Sequence, residues 1–385
     1  MFLLIRKTIP VICLLISFLY GLFLFDDTDH LLKRYLVAFL LLNVIINFPN
    51  KKTLLNFSQF IRPWIPWIVG CLVIPLIVHG SKGLTFQLHL LLIMCLLVCT
   101  LCKYKLKRCY VIASISLTSL VISSAVCIDI SINGLGVNVL GQNKNIVLGG
   151  ICLMSSTLIM YVLTSRSSDE KLLKILAICS IVMSLLATIF AEVRTSIVGF
   201  FGLFLVIAIF LRYQIKKLHL LIFFSTIIFT VSCFVLTGRL QEGWNDLIQW
   251  QSGNSNSSWG IRIELWHLAL RAIPDHFLFG WGYQPFNTII QHGYIFPVTN
   301  FPAQHLHNDY ISYLATYGFL GLIGWLGTLF FMFKQALQDP LRLALLSSMT
   351  FMGLTDCYWS FSHFVLYIFT FLWILLWLSL HSEKY

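Results

Sequence analysis

The sequence predicts an all-α, polytopic integral membrane protein. Apolar residues make up 58% of the 385-residue chain, charged residues only 11%, and the mean hydropathy is +0.86. An ordinary soluble domain carries about 25% charged residues. Many apolar runs reach the roughly 20 residues that a helix needs to cross the hydrocarbon layer, and they do not alternate as barrel strands do. These observations exclude a soluble globular enzyme, a disordered chain and a disulfide scaffold.

About twelve apolar segments follow one another along the chain. Each is predicted to be a helix, because a backbone in lipid must satisfy its own hydrogen bonds. The first follows Arg6 and Lys7; it is long for a signal-peptide core, so we interpret it as a retained helix. The predicted spans lie near residues 8–25, 31–48, 64–80, 84–102, 109–129, 145–164, 172–190, 195–211, 218–237, 307–333, 341–358 and 361–380.

The connections between these segments alternate in charge. Of the 26 Lys and Arg residues, 18 fall on the side that includes both termini and 8 fall on the other side. The positive-inside rule therefore predicts that both termini are cytoplasmic, and an even number of spans agrees. The net charge of +11 is spread over these short clusters. It indicates membrane topology and gives no reason to expect a nucleic-acid partner.

One connection is much longer than the others. Residues 238–306 form a hydrophilic stretch on the side opposite the termini, rich in Trp, Tyr, Phe and His. Loops of this length in compact proteins are usually functional or disordered, and the aromatic content argues against disorder. Residues 261–273 have apolar residues at helical spacing. The chain therefore divides into helices 1–9 over residues 1–237, a non-cytoplasmic loop over 238–306 with short helices, and helices 10–12 over 307–385, in one integrated membrane domain.

The eleven cysteines offer little evidence of a metal site. Almost all lie in or beside apolar runs, where cysteine behaves as a small hydrophobic residue. Cys99 and Cys102 have the spacing of a metal-binding pair, but no second pair completes a zinc site. The sequence predicts no bound metal and no cofactor.

Glu192 and Arg194 interrupt what would otherwise be nearly forty apolar residues. Charges at a membrane boundary are costly, so they suggest a functional site. The alternative is an interfacial turn whose charges face water or pair locally. A second pair, Arg262 and Glu264, lies near the start of the helix predicted within the loop, where an arginine beside a helix N-terminus could bind phosphate. A solvated helical face is the alternative there.

The third cluster is His305-Leu-His307-Asn308-Asp309, which leads directly into the tenth span. Histidine can act as a base near neutral pH, and a carboxylate can orient it. If the segment is helical, His305 and Asp309 share one face. Zinc binding and a merely polar interfacial cap are the alternatives. Asp356, at the last outer turn, could line a site, although a structural role is favoured.

The order of these charged and histidine clusters, and their positions relative to the spans, resemble the O-antigen ligase family of Gram-negative bacteria. These are the lipid A-core:surface polymer ligases, which belong to the O-antigen ligase/polymerase superfamily. The resemblance covers nearly the whole chain and is strongest from Glu192 to Gly327. The matching pieces are the arginine of 192–196, the loop segment 258–266, the Gly-Trp-Gly of 280–282, and His305 to Tyr310 followed by the small residues of 318–321.

The resemblance implies a membrane-embedded glycosyltransferase of lipopolysaccharide biosynthesis. Such an enzyme transfers O-antigen polysaccharide from undecaprenyl pyrophosphate to a sugar hydroxyl of lipid A–core, at the periplasmic face of the inner membrane. It needs no metal or nucleotide at the catalytic step. If the residues that match the family's motifs have the same roles here, His307 is the general base and Arg194 and Arg262 hold the donor pyrophosphate. The candidate supporting residues are His305, Asn308, Asp309 and Glu192.

Three other functions fit parts of the pattern. An O-antigen polymerase uses the same lipid-linked donor with another lipid-linked glycan as acceptor. A protein oligosaccharyltransferase of the same superfamily often carries a large extra periplasmic domain. A transporter with twelve helices should show an internal repeat and polar residues near mid-membrane. The sequence has neither feature, so transport ranks below the ligase and polymerase functions, and protein glycosylation is the least favoured of the three alternatives.

Overall fold

The structure, a computed structural model, describes residues 57–80, 85–101, 106–136, 138–140, 142–165, 170–211, 235, 238–298, 305–360 and 363–382. Within these ranges the fold is mostly helical, with one small two-stranded antiparallel pair. The elements in chain order are α1 (Phe57–His79), α2 (Thr85–Leu101), α3 (Arg108–Asn133), β1 (Asn138–Val139), β2 (Gln142–Asn143), α4 (Lys144–Thr164), α5 (Lys171–Ala191), α6 (Arg194–Val206), α7 (Arg239–Gln251), α8 (Ser258–Ala272), α9 (Pro285–Gln291), α10 (Asp309–Ala336), α11 (Pro340–Met352) and α12 (His363–Ser382).

Five of the described helices, α1, α3, α4, α5 and α10, are long and apolar enough to cross a membrane. Shorter apolar stretches occur in α2, α6 and α12. Large apolar side chains on the long helices are exposed, among them Ile77, Val121, Leu172 and Phe330. A water-soluble protein would bury such a surface, whereas lipid solvates it. The fold is that of an all-α membrane protein.

Nine of the twelve segments predicted from the sequence are helical in the part of the chain that the structure describes. The segments 8–25, 31–48 and 218–237 lie outside the described residues, apart from Val235. Two boundaries differ in ways that matter for function. Helix α10 begins at Asp309, so His305 and His307 precede it, and α11 ends at Met352, so Asp356 lies in the connection to α12.

Helix α1 packs closely against α10 through glycines. A Cβ atom added at Gly70 would lie 2.9 Å from the carbonyl oxygen of Leu320 and 3.0 Å from the Cα atom of Gly324. Small residues allow such close approach between membrane helices. The backbone N–H of Trp67 also donates to the hydroxyl of Thr328 at 2.9 Å. These contacts hold the middle of α1 against the second half of α10.

Helix α10 is broken at Gly318, where φ is 68°. The turn at 277–282, from the loop before α9, forms hydrogen bonds with α10 on both sides of the break. Its N–H groups at Trp281 and Gly282 donate to the carbonyls of residues 315 and 316, and its carbonyls at 277 and 278 accept from Phe319 and Leu320. The four hydrogen bonds satisfy backbone groups that the break would otherwise leave unpaired.

The other end of α10 lies beside a cluster of charged residues. The buried Asp339 carboxylate accepts from Arg108 at 2.6 Å and from the Nε atom of Arg342 at 3.1 Å. A helix of 28 residues is at most about 42 Å long, which exceeds the hydrocarbon thickness of about 30 Å. The charge cluster and the histidines are therefore at opposite ends of a membrane-spanning helix.

Candidate functional site

The candidate site forms where the segment before α10 meets the connection between α11 and α12. Residues 305–308 lead into α10 in a non-helical conformation, and residues 353–360 form the facing turn. The backbone N–H of Asp309 donates to the carbonyl of Gly353 at 2.8 Å, which joins the two segments. Residues almost fifty positions apart in the sequence thereby become neighbours.

Both histidines contact one carboxylate. The Nδ1 atom of His307 lies 3.1 Å from Oδ1 of Asp356, and Nε2 of His305 lies 3.6 Å from the same oxygen. The two imidazole rings are 4.1 Å apart between centroids. The side chain of Asp356 is 11% exposed and that of His307 is 19% exposed, so the cluster is sheltered and still open to a reactant.

The electrostatics of this cluster favour an ionised Asp356 beside a neutral His307. Burial alone would raise the pKa of Asp356, but the hydrogen bonds and charges of His305 and His307 outweigh it and hold that pKa below its usual range. Burial lowers the pKa of His307, against the opposing effect of Asp356, and His305 and Arg262 lower it further. A carboxylate can only accept, so the proton on His307 belongs on Nδ1, and Nε2 can act as a base.

His307 also has an unusual backbone conformation. Its φ is 50°, in the left-handed region that residues other than glycine seldom adopt. Such a conformation costs on the order of 1 kcal/mol or more, and it is found preferentially at functional sites. Here it turns the chain between Leu306, which is fully buried, and the helix cap at Asn308.

The side chains of Asn308 and Asp309 join the two segments of the site through backbone groups rather than through the histidines. Asn308 caps α10, since its Oδ1 accepts from the N–H of Ile311 at 3.1 Å, while its Nδ2 donates to the carbonyl of Leu354 at 2.9 Å. The fully buried Asp309 carboxylate accepts from the backbone N–H groups of Tyr358, Trp359 and Ser360. The expectation that His305 and Asp309 share a helical face was wrong, because the helix begins only at Asp309.

Arg262 lies in the first turns of α8, as the sequence predicts. Its Nη1 atom donates to the carbonyl and the hydroxyl of Ser258, at 3.0 and 2.6 Å. Its buried Nε atom has no hydrogen-bond partner among the described residues. Its charge is close enough to His307 to contribute to the lowered pKa of that histidine. Glu264 instead serves the loop, because it accepts from Trp250 and Ser255.

Glu192 and Arg194 form a tight turn between α5 and α6. Glu192 ends α5 with φ 54° and ψ 39°, and Arg194 is the first residue of α6. The side chain of Arg194 lies outside the described part of the structure. Its neighbour Thr195 accepts a hydrogen bond from the hydroxyl of Tyr358 at 3.0 Å. The start of α6 therefore borders the turn that carries Asp356.

A third helix also begins at this turn. The hydroxyl of Tyr358 contacts the carbonyl of Asn145 at 3.1 Å, and the amide nitrogen of Asn145 lies 3.5 Å from Oδ2 of Asp356. The N-termini of α4, α6 and α10 thus meet around residues 356–358. Because helix N-termini carry partial positive charge, their convergence beside Arg262 favours an anion.

Sequence reasoning did not identify Asn145, Thr195 or Tyr358, and it assigned Asp356 mainly a structural role. No spacing pattern connects these residues to the histidines, because the contacts arise only when the ends of four helices meet. The predicted position of Asp356 at an outer turn was the one available signal.

His305, His307 and Asp356 also have the ligand types and spacing of a metal site. One ligand atom from each lies within 4.8 Å of the other two. Two imidazoles and a carboxylate suit a divalent ion such as zinc. The same geometry suits a carboxylate that orients a general base, and the two uses are mutually exclusive for the Nδ1 atom of His307.

The model of the O-antigen ligase family matches residues 179–326 of this chain. The matched segment contains Glu192, Arg194, Arg262 and the cluster from His305 to Asp309, and it ends before Asp356. No curated protein matches the chain significantly. Over these residues the match confirms the family resemblance seen in the sequence. It supports a membrane enzyme of polysaccharide biosynthesis, of the general ligase and polymerase type.

Proposed function

We propose that this chain, whose residues 179–326 match the O-antigen ligase family, is an O-antigen ligase of lipopolysaccharide biosynthesis. It transfers O-antigen polysaccharide from undecaprenyl pyrophosphate to a sugar hydroxyl of lipid A–core. The observation that carries the proposal is the contact between His307 and the ionised Asp356, beside Arg262 and three helix N-termini.

The acceptor hydroxyl needs a base because a sugar hydroxyl is a poor nucleophile. Its oxygen forms the new bond to the anomeric carbon of the donor, and its proton passes to Nε2 of His307. Asp356 accepts from Nδ1–H, fixes the ring and stabilises the imidazolium that forms. A positioned base contributes about 10²–10⁴-fold to such a reaction. His305 contacts the same carboxylate and serves a supporting role.

The bond that breaks joins the anomeric carbon to the pyrophosphate, which leaves with negative charge. Arg262 contributes a guanidinium whose buried Nε lacks a hydrogen-bond partner in the described structure, and Arg194 stands at the start of α6. The converging helix N-termini add partial positive charge. Fixed charges in a sheltered site stabilise a leaving anion without reorganisation. We therefore propose that no metal ion takes part at the catalytic step.

The membrane arrangement follows from the chemistry of the two substrates. Both carry lipid anchors, so both reach the site sideways from the bilayer. We propose that the site and the 238–306 loop face the periplasm, that both termini are cytoplasmic and that the protein resides in the bacterial inner membrane. The charge cluster of Arg108, Asp339 and Arg342 would then lie on the cytoplasmic side, in agreement with the positive-inside rule.

Deletion of the gene tests this function against its nearest alternative. A ligase mutant loses O-antigen from lipid A–core and accumulates long polymer on undecaprenyl pyrophosphate. A polymerase mutant would instead accumulate single repeats on the carrier and attach them to core. The second result would contradict the proposed acceptor and leave the proposed donor intact.

A further inference from the structure

A cavity of about 660 Å³ opens between the outer end of α1 and the face of α9. Its walls include His79 from α1, Trp281 and Tyr283 from the loop, and Asn287 and Gln291 from α9. This volume lies within the range of small-molecule and cofactor sites, about 300–1,000 Å³.

The cavity walls are held by backbone contacts. Trp281 donates through its indole N–H to the carbonyl of Ala272 at 3.0 Å, and through its backbone N–H to α10. His79 contacts the carbonyl of Phe279 at 2.9 Å, and its ring would lie 3.3 Å from a Cβ atom at Gly282. Because two spans and the loop are fixed in this way, the cavity is preformed and a ligand need not order it.

The chemistry of the lining suits a neutral, polyhydroxylated ligand. Side-chain amides come from Gln284, Asn287 and Gln291, which are all exposed, and the aromatic residue Tyr283 is 47% exposed. No Lys, Arg, Asp or Glu is among the described lining residues, so the cavity offers no charge to a phosphate or a nucleotide. Amides can donate to and accept from hydroxyl groups, while an aromatic face packs against the C–H face of a sugar ring.

The cavity wall and the histidine segment pack against the same hydrophobic side chains. Trp281 and Phe286 pack in the same hydrophobic cluster as Leu306, the residue between the two histidines. Trp266 fixes Leu306 further, since its indole N–H donates to the Leu306 carbonyl at 2.9 Å. Along α10, the contact of Gly282 with Thr316 is about 10 Å from the start of the helix at Asp309.

We propose that this cavity is a saccharide subsite, which binds a sugar chain a short distance from the bond-forming centre. The assignment rests on the proposed glycan transfer, and two glycans could supply the sugars: the polysaccharide of the donor, or the core saccharide of the acceptor. Binding there would hold a glycan by its sugars, in addition to the contacts that its lipid and pyrophosphate make.

The test uses two lipid-free probes from the deletion strain: O-antigen oligosaccharide, released by mild acid from undecaprenyl pyrophosphate, and core oligosaccharide, released by mild acid from lipid A–core. Binding to the purified full chain in nanodiscs is followed by saturation-transfer NMR and titration into the millimolar range. The variants are Tyr283→Ala and Asn287→Ala, singly and together. Both side chains are exposed, so these substitutions should cost little folding energy.

Wild-type protein should bind one of the probes saturably, and the probe that binds identifies the source of the sugars. The double variant should lose roughly fivefold or more in affinity. Tyr283→Phe, which keeps the ring, should bind within about twofold of wild type, as should Trp244→Ala, which removes an exposed aromatic residue of α7 outside the cavity. Failure of both probes to bind, or unchanged affinity in the double variant, would overturn the subsite.

His307→Ala separates this inference from the proposed function. Its oligosaccharide affinity should equal that of wild type while transfer is lost. Normal transfer by His307→Ala, with oligosaccharide affinity still dependent on Tyr283 and Asn287, would reject the base and leave the subsite standing.

Discussion

Nδ1 of His307 lies 3.1 Å from Oδ1 of Asp356, although 49 residues separate them in the sequence. The same oxygen accepts the backbone N–H of Cys357 at 2.9 Å, so the carboxylate is held in place by its own turn. The contact fixes which nitrogen of His307 carries the proton and which can accept one. It is also the relationship that sequence reasoning could not supply.

Replacing Asp356 by Asn should lower the turnover number by about 10²-fold or more, because a neutral amide does not stabilise the imidazolium and its NH₂ group can donate to Nδ1 and favour the wrong tautomer. The pH profile should change as well. Transfer requires neutral His307 and should fall as the pH drops through the His307 pKa, which lies below its ordinary value. The charge of Asp356 raises the pKa of His307. Replacing Asp356 by the neutral Asn should therefore lower that pKa and move the acidic limb of the pH–activity profile to lower pH.

The measurement is the pH dependence of transfer by purified wild type and Asp356→Asn, with both substrates saturating. A normal turnover number for Asp356→Asn, with no shift in the acidic limb of its pH profile, would show that Asp356 has only a structural role. Asp356→Glu provides the comparison, since it keeps the charge and should retain more activity than Asn.

Metal chelation distinguishes the two uses of the His305, His307 and Asp356 cluster. Transfer by purified components should persist after EDTA treatment and without added divalent ions, because fixed positive groups are proposed to stabilise the leaving pyrophosphate. Metal analysis of the purified protein provides the control. Complete loss with chelator, followed by rescue with one particular ion, would make the cluster a metal centre.

Arg194→Ala and Arg262→Ala should weaken use of the donor, with a raised donor KM or a reduced turnover and little change in the KM for lipid A–core. Lysine should rescue poorly, because it lacks the planar fork that binds phosphate oxygens in pairs. Arg271→Ala, which removes an exposed arginine from the last turn of α8, is the matched control. An equal effect of Arg271→Ala would indicate that only the net charge of the loop matters.

A side chain at Gly318, where α10 is broken, should destabilise the protein. Gly318→Ala would place a Cβ atom 2.4 Å from the backbone of Leu278, at a φ of 68°, so we expect a loss of about 3 kcal/mol or more. Gly253→Ala is the control for conformation alone, since its φ is 91° and nothing lies within 4 Å. It should cost about 1–2 kcal/mol. Thermal melting of both variants in detergent checks this, and equal melting temperatures would contradict the packed break.

The helices were largely predictable, because length and hydropathy alone define a segment that must satisfy its own hydrogen bonds in lipid. The predicted helix at 261–273 appears as α8, Ser258–Ala272. The break at Gly318 was not predicted, since a local apolar pattern does not reveal that a distant loop supplies the missing hydrogen bonds. The starts and ends of α10 and α11 were also misplaced by a few residues, and these residues carry the site.

The candidate site was predictable only in part. His305 and His307 stood out because two histidines at a membrane boundary are unusual, and the family resemblance gave His307 a role. Their acidic partner was sought in the adjacent Asp309, whose carboxylate accepts from residues 358–360. Asp356 meets the histidines because the helix ends converge, and such long-range contacts leave no trace in the spacing of one sequence.

The most direct test of the account is transfer to lipid A–core by purified His307→Ala, with donor binding and membrane abundance measured in parallel. Near-complete loss of transfer is predicted, with normal abundance and retained donor binding, since only the path for the acceptor proton is removed. His305→Ala, the matched control, should be milder. Near-normal transfer by His307→Ala would contradict the account, and loss with His305→Ala alone would move the base two residues upstream.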